Sequence, residues 1–137
     1  MEKIVRFGVS MEEKLLKIFD NYIKKESYKG RSEAIRDLIR RKIVEEEWKE
    51  KKVVAGSIIL VYNHHKRELV DKIMDIQHDF HPFIISTQHI HLDKNNCLEI
   101  VVVKGKVEII KNLFNSLSAL KGVKYSSISK ATTGKKI

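Results

Sequence analysis

Residues 83–103 read FIISTQHIHLDKNNCLEIVVV, and this stretch decides how the second half of the chain folds. Two runs within it, 83–92 and 97–103, are rich in β-branched residues and flank a cluster of turn residues, which predicts two strands. The DKNN sequence between the runs has the composition of a tight turn. The stretch is therefore predicted to form a β-hairpin.

The predicted hairpin would gather side chains that bind metals. If His91 lies opposite Cys97, then His89 lies opposite Glu99, and all four side chains project from one face because strands alternate with period two. A thiolate and imidazoles are ligands that first-row transition metals prefer, and Glu99 is placed to accept the second ring N–H of a ligating histidine. The alternative is a solvated polar strand with one buried, inert cysteine. His78, just upstream, is a further candidate ligand.

The hairpin lies at the centre of a longer βαββαβ order. Its predicted elements are strand 53–62, helix 66–80, strand 83–92, strand 97–103, helix 106–121 and strand 123–129. This is the ferredoxin-like order, in which two helices cover one face of an antiparallel sheet.

The first half of the chain predicts one strand and two helices. Residues 5–10 alternate apolar with small or charged side chains, which indicates a half-buried strand. Ser10 and Glu13 have the spacing of a capping box for a helix that runs to about Lys25, and Ser32 is a suitable N-cap for a second helix. One strand cannot form a sheet and so small a unit buries little core, so we predict a dimer whose two strands pair as an antiparallel ribbon.

A paired ribbon of this kind fits the major groove of double-stranded DNA. Arg6, Gly8 and Ser10 would point outward from each strand, where they are predicted to read base edges. Arg31 and Ser32, at the start of the second helix, are predicted to meet a DNA phosphate near free backbone amides. The alternative is that this polar strand face only meets water.

The composition of the chain narrows the classes of function that it can have. The chain has 137 residues, a formal net charge of +9 and one cysteine, which favours a polyanionic partner and excludes an internal disulfide framework. No apolar run approaches the roughly 18 residues of a membrane span, so we expect a cytoplasmic protein with no membrane partner. No Ser/His/Asp arrangement, Gly-rich phosphate loop or CxxC motif is present, which argues against an enzyme. The charged run around residue 50 predicts two domains, 1–50 and 51–137.

Four motifs together resemble the nickel-responsive regulator family, NikR. They are RSEAIRD at 31–37, QH at 77–78, HIH at 89–91 and CLEI at 97–100. The resemblance covers nearly the whole chain. It implies an α+β protein with an N-terminal ribbon-helix-helix domain followed by a ferredoxin-like domain of the ACT type. It also implies a nickel-dependent repressor that binds operator DNA and controls nickel-uptake genes.

The resemblance also implies an assembly and a ligand set. The family forms a homotetramer, a dimer of dimers joined through the ACT-type domains, with one nickel ion per protomer. The implied ligands, in a square plane, are His89, His91 and Cys97 of one protomer and His78 of a neighbour. Tyr62 and Glu99 fall on family positions close to the metal.

Three further predictions concern charged and histidine pairs. Glu33 and Asp37 match a weaker cation site of the family, although an ordinary surface carboxylate pair explains them equally well. Lys66 and Arg67 are predicted to touch DNA phosphates. The neighbouring 64–65 histidine pair is predicted to be exposed in a loop.

The alternative function is a ribbon-helix-helix regulator whose ACT-like domain senses a small organic ligand.

Overall fold

A computed structural model describes residues 2–137, which form two compact units that divide between Arg41 and Lys42. The helices are α1 (Glu13–Lys25), α2 (Arg31–Lys49), α3 (Arg67–Asp79) and α4 (Val107–Ser118). The strands are β1 (Val53–Asn63), β2 (Ile84–His91), β3 (Asn96–Lys106) and β4 (Val123–Lys130), and a single 3₁₀ turn, His81–Phe83, precedes β2. Within residues 2–137, no helix is long and apolar enough to cross a membrane.

The second unit confirms the predicted βαββαβ order. Its four strands lie in the order β2-β3-β1-β4, and every neighbouring pair is antiparallel. Side chains of β1 and β3 are alternately buried and partly exposed, as expected for a sheet covered on one face. The covered face packs on α3 and α4 through buried residues such as Ile58, Val101, Ile73 and Ile110. The opposite face of the sheet remains open.

The end of α2 belongs to the second unit. Trp48 is only 2% exposed, and its indole Nε1 donates a hydrogen bond to the Ala131 carbonyl at 2.9 Å. Backbones approach closely here: a Cβ added to Gly56 would lie 2.8 Å from the Ser129 carbonyl oxygen. Because Trp48 packs into this core, the compact units divide within α2, whereas the domains 1–50 and 51–137 stay a prediction.

The first unit contains α1, the part of α2 up to Arg41 and an N-terminal segment, residues 2–12, that has neither helix nor strand. The predicted strand over residues 5–10 is thus not formed in the single chain. A strand needs a partner to pair its backbone N–H and C=O groups, and the predicted partner is a second copy.

Both predicted helix caps are wrong. Helix α1 begins at Glu13 with Glu12 in the N-cap position, and the described residues provide no side-chain cap there, so Ser10 forms no capping box. Helix α2 begins at Arg31, two residues before the start that a Ser32 N-cap predicts, which places Ser32 inside its first turn. The Glu33 carboxylate reaches back to accept the Lys29 backbone N–H at 2.9 Å, satisfying a donor ahead of the helix.

Candidate metal centre and nucleic-acid surface

The β2–β3 hairpin has the predicted register. His91 lies opposite Cys97, and His89 lies opposite Glu99. In the turn, Asp93 Oδ1 accepts the backbone N–H groups of Asn95 and Asn96, each at 2.8 Å. Hydrogen bonds from the Asn96 side chain and from these two amides lower the pKa of Asp93 to about 2. The turn is therefore tightly closed, which sets the pairing of the strands.

His89 joins the cysteine to a buried carboxylate. Its Nδ1 lies 3.8 Å from the Cys97 sulfur, and its Nε2 lies 2.6 Å from Glu99 Oε1. If the Nε2 proton points to Glu99, the Nδ1 lone pair faces the sulfur, which is the tautomer a metal ligand needs. Cys97 is 1% exposed, so its thiol is shielded from solvent. This donor set fits a soft or borderline transition metal such as nickel.

Glu99 is the centre of a hydrogen-bond network although it is only 1% exposed. Besides its contact with His89, it accepts a bond from the Tyr62 hydroxyl at 3.2 Å and one from Gln77 Nε2 at 2.6 Å. The Thr87 hydroxyl in turn donates to Gln77 Oε1 at 3.3 Å. Burial, and then the Glu99 charge, raise the pKa of Tyr62, so its hydroxyl stays protonated as a donor.

Gln77 links α3 to the hairpin and was missed as a functional residue in the sequence. Its position next to His78, on the first helix of the βαββαβ unit, is the only signal that could have identified it. Hydrogen bonds from Gln77 to Glu99 and from Thr87 to Gln77 place the end of α3 against the candidate metal centre.

His91 packs against a histidine that sequence reasoning placed in an exposed loop. The rings of His64 and His91 are nearly parallel, 5° apart, with centroids separated by 4.5 Å. His64 is half-buried, and its Nδ1 has no hydrogen-bond partner within the described part of the chain. Burial, then the charges of His65 and His91, lower the pKa of His64. The neighbouring His65 ring meets the Lys94 carbonyl at 2.9 Å.

His78 does not join this group within one chain. Its ring stacks on His81 with centroids 5.8 Å apart, and its backbone carbonyl lies 3.0 Å from His81 Nδ1. Among residues 2–137, no three His, Cys, Asp or Glu side chains converge as a ligand set for one ion. The described residues place His89 beside Cys97 and Glu99, whereas His91 stacks on His64 and His78 stacks on His81.

The predicted DNA-reading side chains are exposed. Arg6, Gly8 and Ser10 lie in the exposed N-terminal segment, and Ser32 is exposed in the first turn of α2. The α3 residues predicted to contact phosphates, Lys66 and Arg67, are also exposed at the start of that helix.

Arg31 is already bound within the first unit. Its Nε and Nη2 donate to the two carboxylate oxygens of Asp20, each at 3.0 Å. The hydrogen bond from Arg31 lowers the pKa of Asp20. The fork uses two of the five guanidinium donors, so others remain to meet a phosphate.

The two carboxylates of the predicted weak cation site have separate partners. Asp37 accepts hydrogen bonds from the Tyr28 hydroxyl and, at 2.9 Å, from Arg41 Nε. These bonds, the Tyr28 bond first, lower the pKa of Asp37. Glu33 is occupied by the Lys29 amide. A cation between these carboxylates would have to compete with donors already in place.

The first unit exposes a large apolar surface. Val5, Phe7 and Val9 are 74%, 72% and 59% exposed in the single chain. A groove of about 990 Å³ lies between this segment and the two helices, where Phe19 and Ile35 line it. Exposed apolar patches of this kind mark interaction surfaces.

Comparisons with known proteins agree with this architecture. Residues 5–46 match the family of ribbon-helix-helix proteins of the CopG type, and residues 55–131 match the NikR C-terminal nickel-binding domain. The chain belongs to the nickel-responsive regulator family. Members of this family regulate transcription, so the protein is a regulator and not an enzyme.

Relatives described as nickel-responsive regulators match nearly the full length of the chain. The protein of Syntrophus aciditrophicus is 57% identical over 134 residues, 98% of each chain. That of Dictyoglomus thermophilum is 55% identical, covering 94% of this chain and 96% of its own. That of Chlorobaculum tepidum is 50% identical with the same coverage.

A solved structure shares the fold of part of the chain. An uncharacterized protein from Thermotoga maritima superposes with a TM-score of 0.53 at 15% identity. The match covers 58% of this chain and 98% of that one. At this identity the likeness concerns the fold alone.

Proposed function

We propose that the protein is a nickel-dependent repressor that binds operator DNA when nickel fills a site of three histidines and one cysteine, and that it controls nickel-uptake genes. The observation that carries the proposal is the contact between His89 Nδ1 and the buried Cys97 sulfur, with Glu99 on the other ring nitrogen. A ligating histidine needs this arrangement, in which a carboxylate sets the tautomer and orients the ring.

The proposed ligands are His89, His91 and Cys97 of one protomer and His78 of a neighbour, with one nickel ion per protomer. Support for a ligand from another chain comes from His78, whose ring stacks on His81 in its own chain. Nickel would then connect two chains. Tyr62 and Glu99 would support the site through the buried hydrogen bond that joins them.

The first units would pair to form the DNA-binding dimer. Pairing of two N-terminal segments would satisfy the backbone groups of residues 5–10 and bury the apolar side chains of Val5, Phe7 and Val9. The groove of about 990 Å³ beside them offers space for the second copy. Arg6, Gly8 and Ser10 alternate with those apolar residues and would face base edges in the major groove.

The open face of the sheet would join two dimers into a tetramer. A row of apolar side chains crosses it at one level, because Val61 pairs with Leu98 and Tyr125, and Leu98 pairs with Ile90. Tyr125 is 61% exposed and Ile90 is 37% exposed. Burial of this row against a second copy would remove a continuous apolar strip from water.

Phosphate contacts would come from both units. Arg31 and Ser32 begin α2, and Lys66 and Arg67 begin α3, so each pair lies near backbone amides suited to a phosphate. The weaker cation site at Glu33 and Asp37 also remains a proposal. It would form if DNA binding rearranged the Tyr28 and Arg41 bonds to Asp37.

A gel-shift titration with nickel tests the proposal. Wild type should bind operator DNA only when nickel is added, and Cys97→Ala should lose this response while it keeps weak, salt-sensitive binding to any DNA. Val101→Ala is the matched control, because it also disturbs a buried side chain on the same face of β3 but removes no ligand. A full nickel response in Cys97→Ala would contradict the site. Operator binding that is the same with and without added metal would instead favour the alternative, a regulator whose second domain senses a small organic ligand.

A further inference from the structure

We propose that His64 is a positioning residue for the candidate metal centre and that it holds the His91 imidazole in orientation by ring stacking. The inference rests on the proposed function, since His91 is a proposed ligand. It adds a side chain that neither ligates nor hydrogen-bonds the ligands.

The two proposed histidine ligands of the hairpin are oriented by different means. His89 is fixed by the bond between its Nε2 and Glu99. His91 lies at the end of the edge strand β2, and within residues 2–137 no side chain hydrogen-bonds to its ring. Its defined ring contact is the parallel stack on His64, at 5° and 4.5 Å between centroids. Because the lone pair of an imidazole lies in the ring plane, fixing that plane determines where the nitrogen can point.

The His64 ring, on which His91 stacks, belongs to a loop that is hydrogen-bonded to the hairpin turn. The His64 backbone N–H donates to the Asn95 carbonyl at 3.2 Å. The adjacent His65 ring contacts the Lys94 carbonyl at 2.9 Å, and its backbone N–H donates to Asn63 Oδ1 at 2.9 Å. The loop after β1 is therefore joined to the β2–β3 turn at His64 and at His65. A His64 ring held in this way orients the His91 ring before a metal binds, which reduces the side-chain entropy lost on binding.

A ligand role for His64 fits this geometry poorly. The rings of His64 and His91 lie in parallel planes, so their in-plane lone pairs point along separate planes and do not meet at one ion. The buried His64 Nδ1 has no hydrogen-bond partner among the described residues. Stacking, and not coordination, is the interaction that this arrangement supplies.

Two substitutions separate these roles. His64→Ala removes the ring on which His91 stacks, whereas His64→Phe keeps an aromatic face and removes both ring nitrogens. Nickel affinity is measured by competition with a chelator, and the nickel–thiolate absorption band reports the geometry of the ion. Thermal unfolding of the metal-free protein shows whether either change acts on the fold instead.

We expect His64→Ala to bind nickel roughly tenfold more weakly, within the range for residues that orient a metal ligand, and to alter the absorption band. His64→Phe should stay close to wild type, and metal-free stability should change little in both. Equal losses in both variants would mean that a nitrogen is needed, and unchanged affinity in His64→Ala would remove any role; either result overturns the inference. Failure of wild type to bind nickel would instead overturn the proposed function itself.

Discussion

Glu99→Gln should weaken nickel binding because it reverses one link in a one-way chain of hydrogen bonds. Thr87 donates to Gln77, Gln77 donates to Glu99, and Tyr62 and His89 also direct donors at Glu99. A glutamine at this position keeps one acceptor but presents an NH₂ group where the second acceptor was. That group would face the Gln77 amide donor.

Relief of this conflict has a defined cost. If Gln77 turns its amide over, its oxygen can accept from the new side chain and its NH₂ group can donate to the Thr87 hydroxyl, so at most one hydrogen bond of the chain is weakened. One such bond contributes about 1 kcal/mol to the free energy of unfolding, so the metal-free protein should remain folded. The larger effect falls on His89, which exchanges a charged acceptor for a neutral one. Changes next to a metal ligand typically reduce affinity by roughly 10- to 100-fold, about 1.4 to 2.7 kcal/mol.

Competition with a chelator, followed through the thiolate absorption band, measures this change in affinity. Glu108→Gln is the matched control, because Glu108 is an exposed carboxylate on α4 that pairs with Lys51. The control should bind nickel as wild type does. Affinity within about twofold of wild type for Glu99→Gln would refute the view that the buried carboxylate orients His89.

Three further predictions concern stability and DNA reading. Trp48→Ala should lower the free energy of unfolding by about 3 to 5 kcal/mol, since it empties a buried site and frees the Ala131 carbonyl; denaturant unfolding checks this, and Trp48→Phe should cost much less. Arg6→Ala should weaken operator binding by about 1 to 3 kcal/mol and relax preference at one base pair, whereas equal weakening on all sequences in a gel shift would indicate a phosphate contact. The pKa of Asp20 is lowered by Arg31, so the contribution of this pair is complete above the unfolded value near 4 and is lost as the pH falls through the lower folded value. The difference in unfolding free energy between wild type and Asp20→Asn should therefore shrink below about pH 4, and a difference that stays constant down to pH 2 would contradict the assignment.

Local patterns in the sequence were sufficient to predict the hairpin that carries the candidate metal centre. A period of two and a four-residue turn place His89 opposite Glu99 and His91 opposite Cys97, and the structure confirms both pairs. The same reasoning predicted the order of the six elements in the second unit. These features depend on neighbours in the sequence or on a single hairpin.

Contacts between distant segments could not be predicted in this way. Gln77 reaches Glu99 from another element, and His64 meets His91 only because the loop after β1 bonds to the hairpin turn. The predicted N-cap of α1 is wrong for a different reason. Ser10 is a residue type that caps helices, but α1 begins at Glu13, so Ser10 does not occupy the N-cap position. The strand predicted over residues 5–10 would need a partner outside the chain, and the apolar side chains of this segment are exposed in one copy.

Reconstitution of mixed assemblies tests the central claim most directly. His78→Ala and Cys97→Ala should each lose the nickel–thiolate absorption band when prepared alone. If the site combines His78 of one chain with His89, His91 and Cys97 of another, unfolding the two variants together and refolding them should restore the band. With random pairing, about a quarter of the sites would be complete. No recovery in the mixture, while refolded wild type regains its full signal, would contradict a site shared between chains.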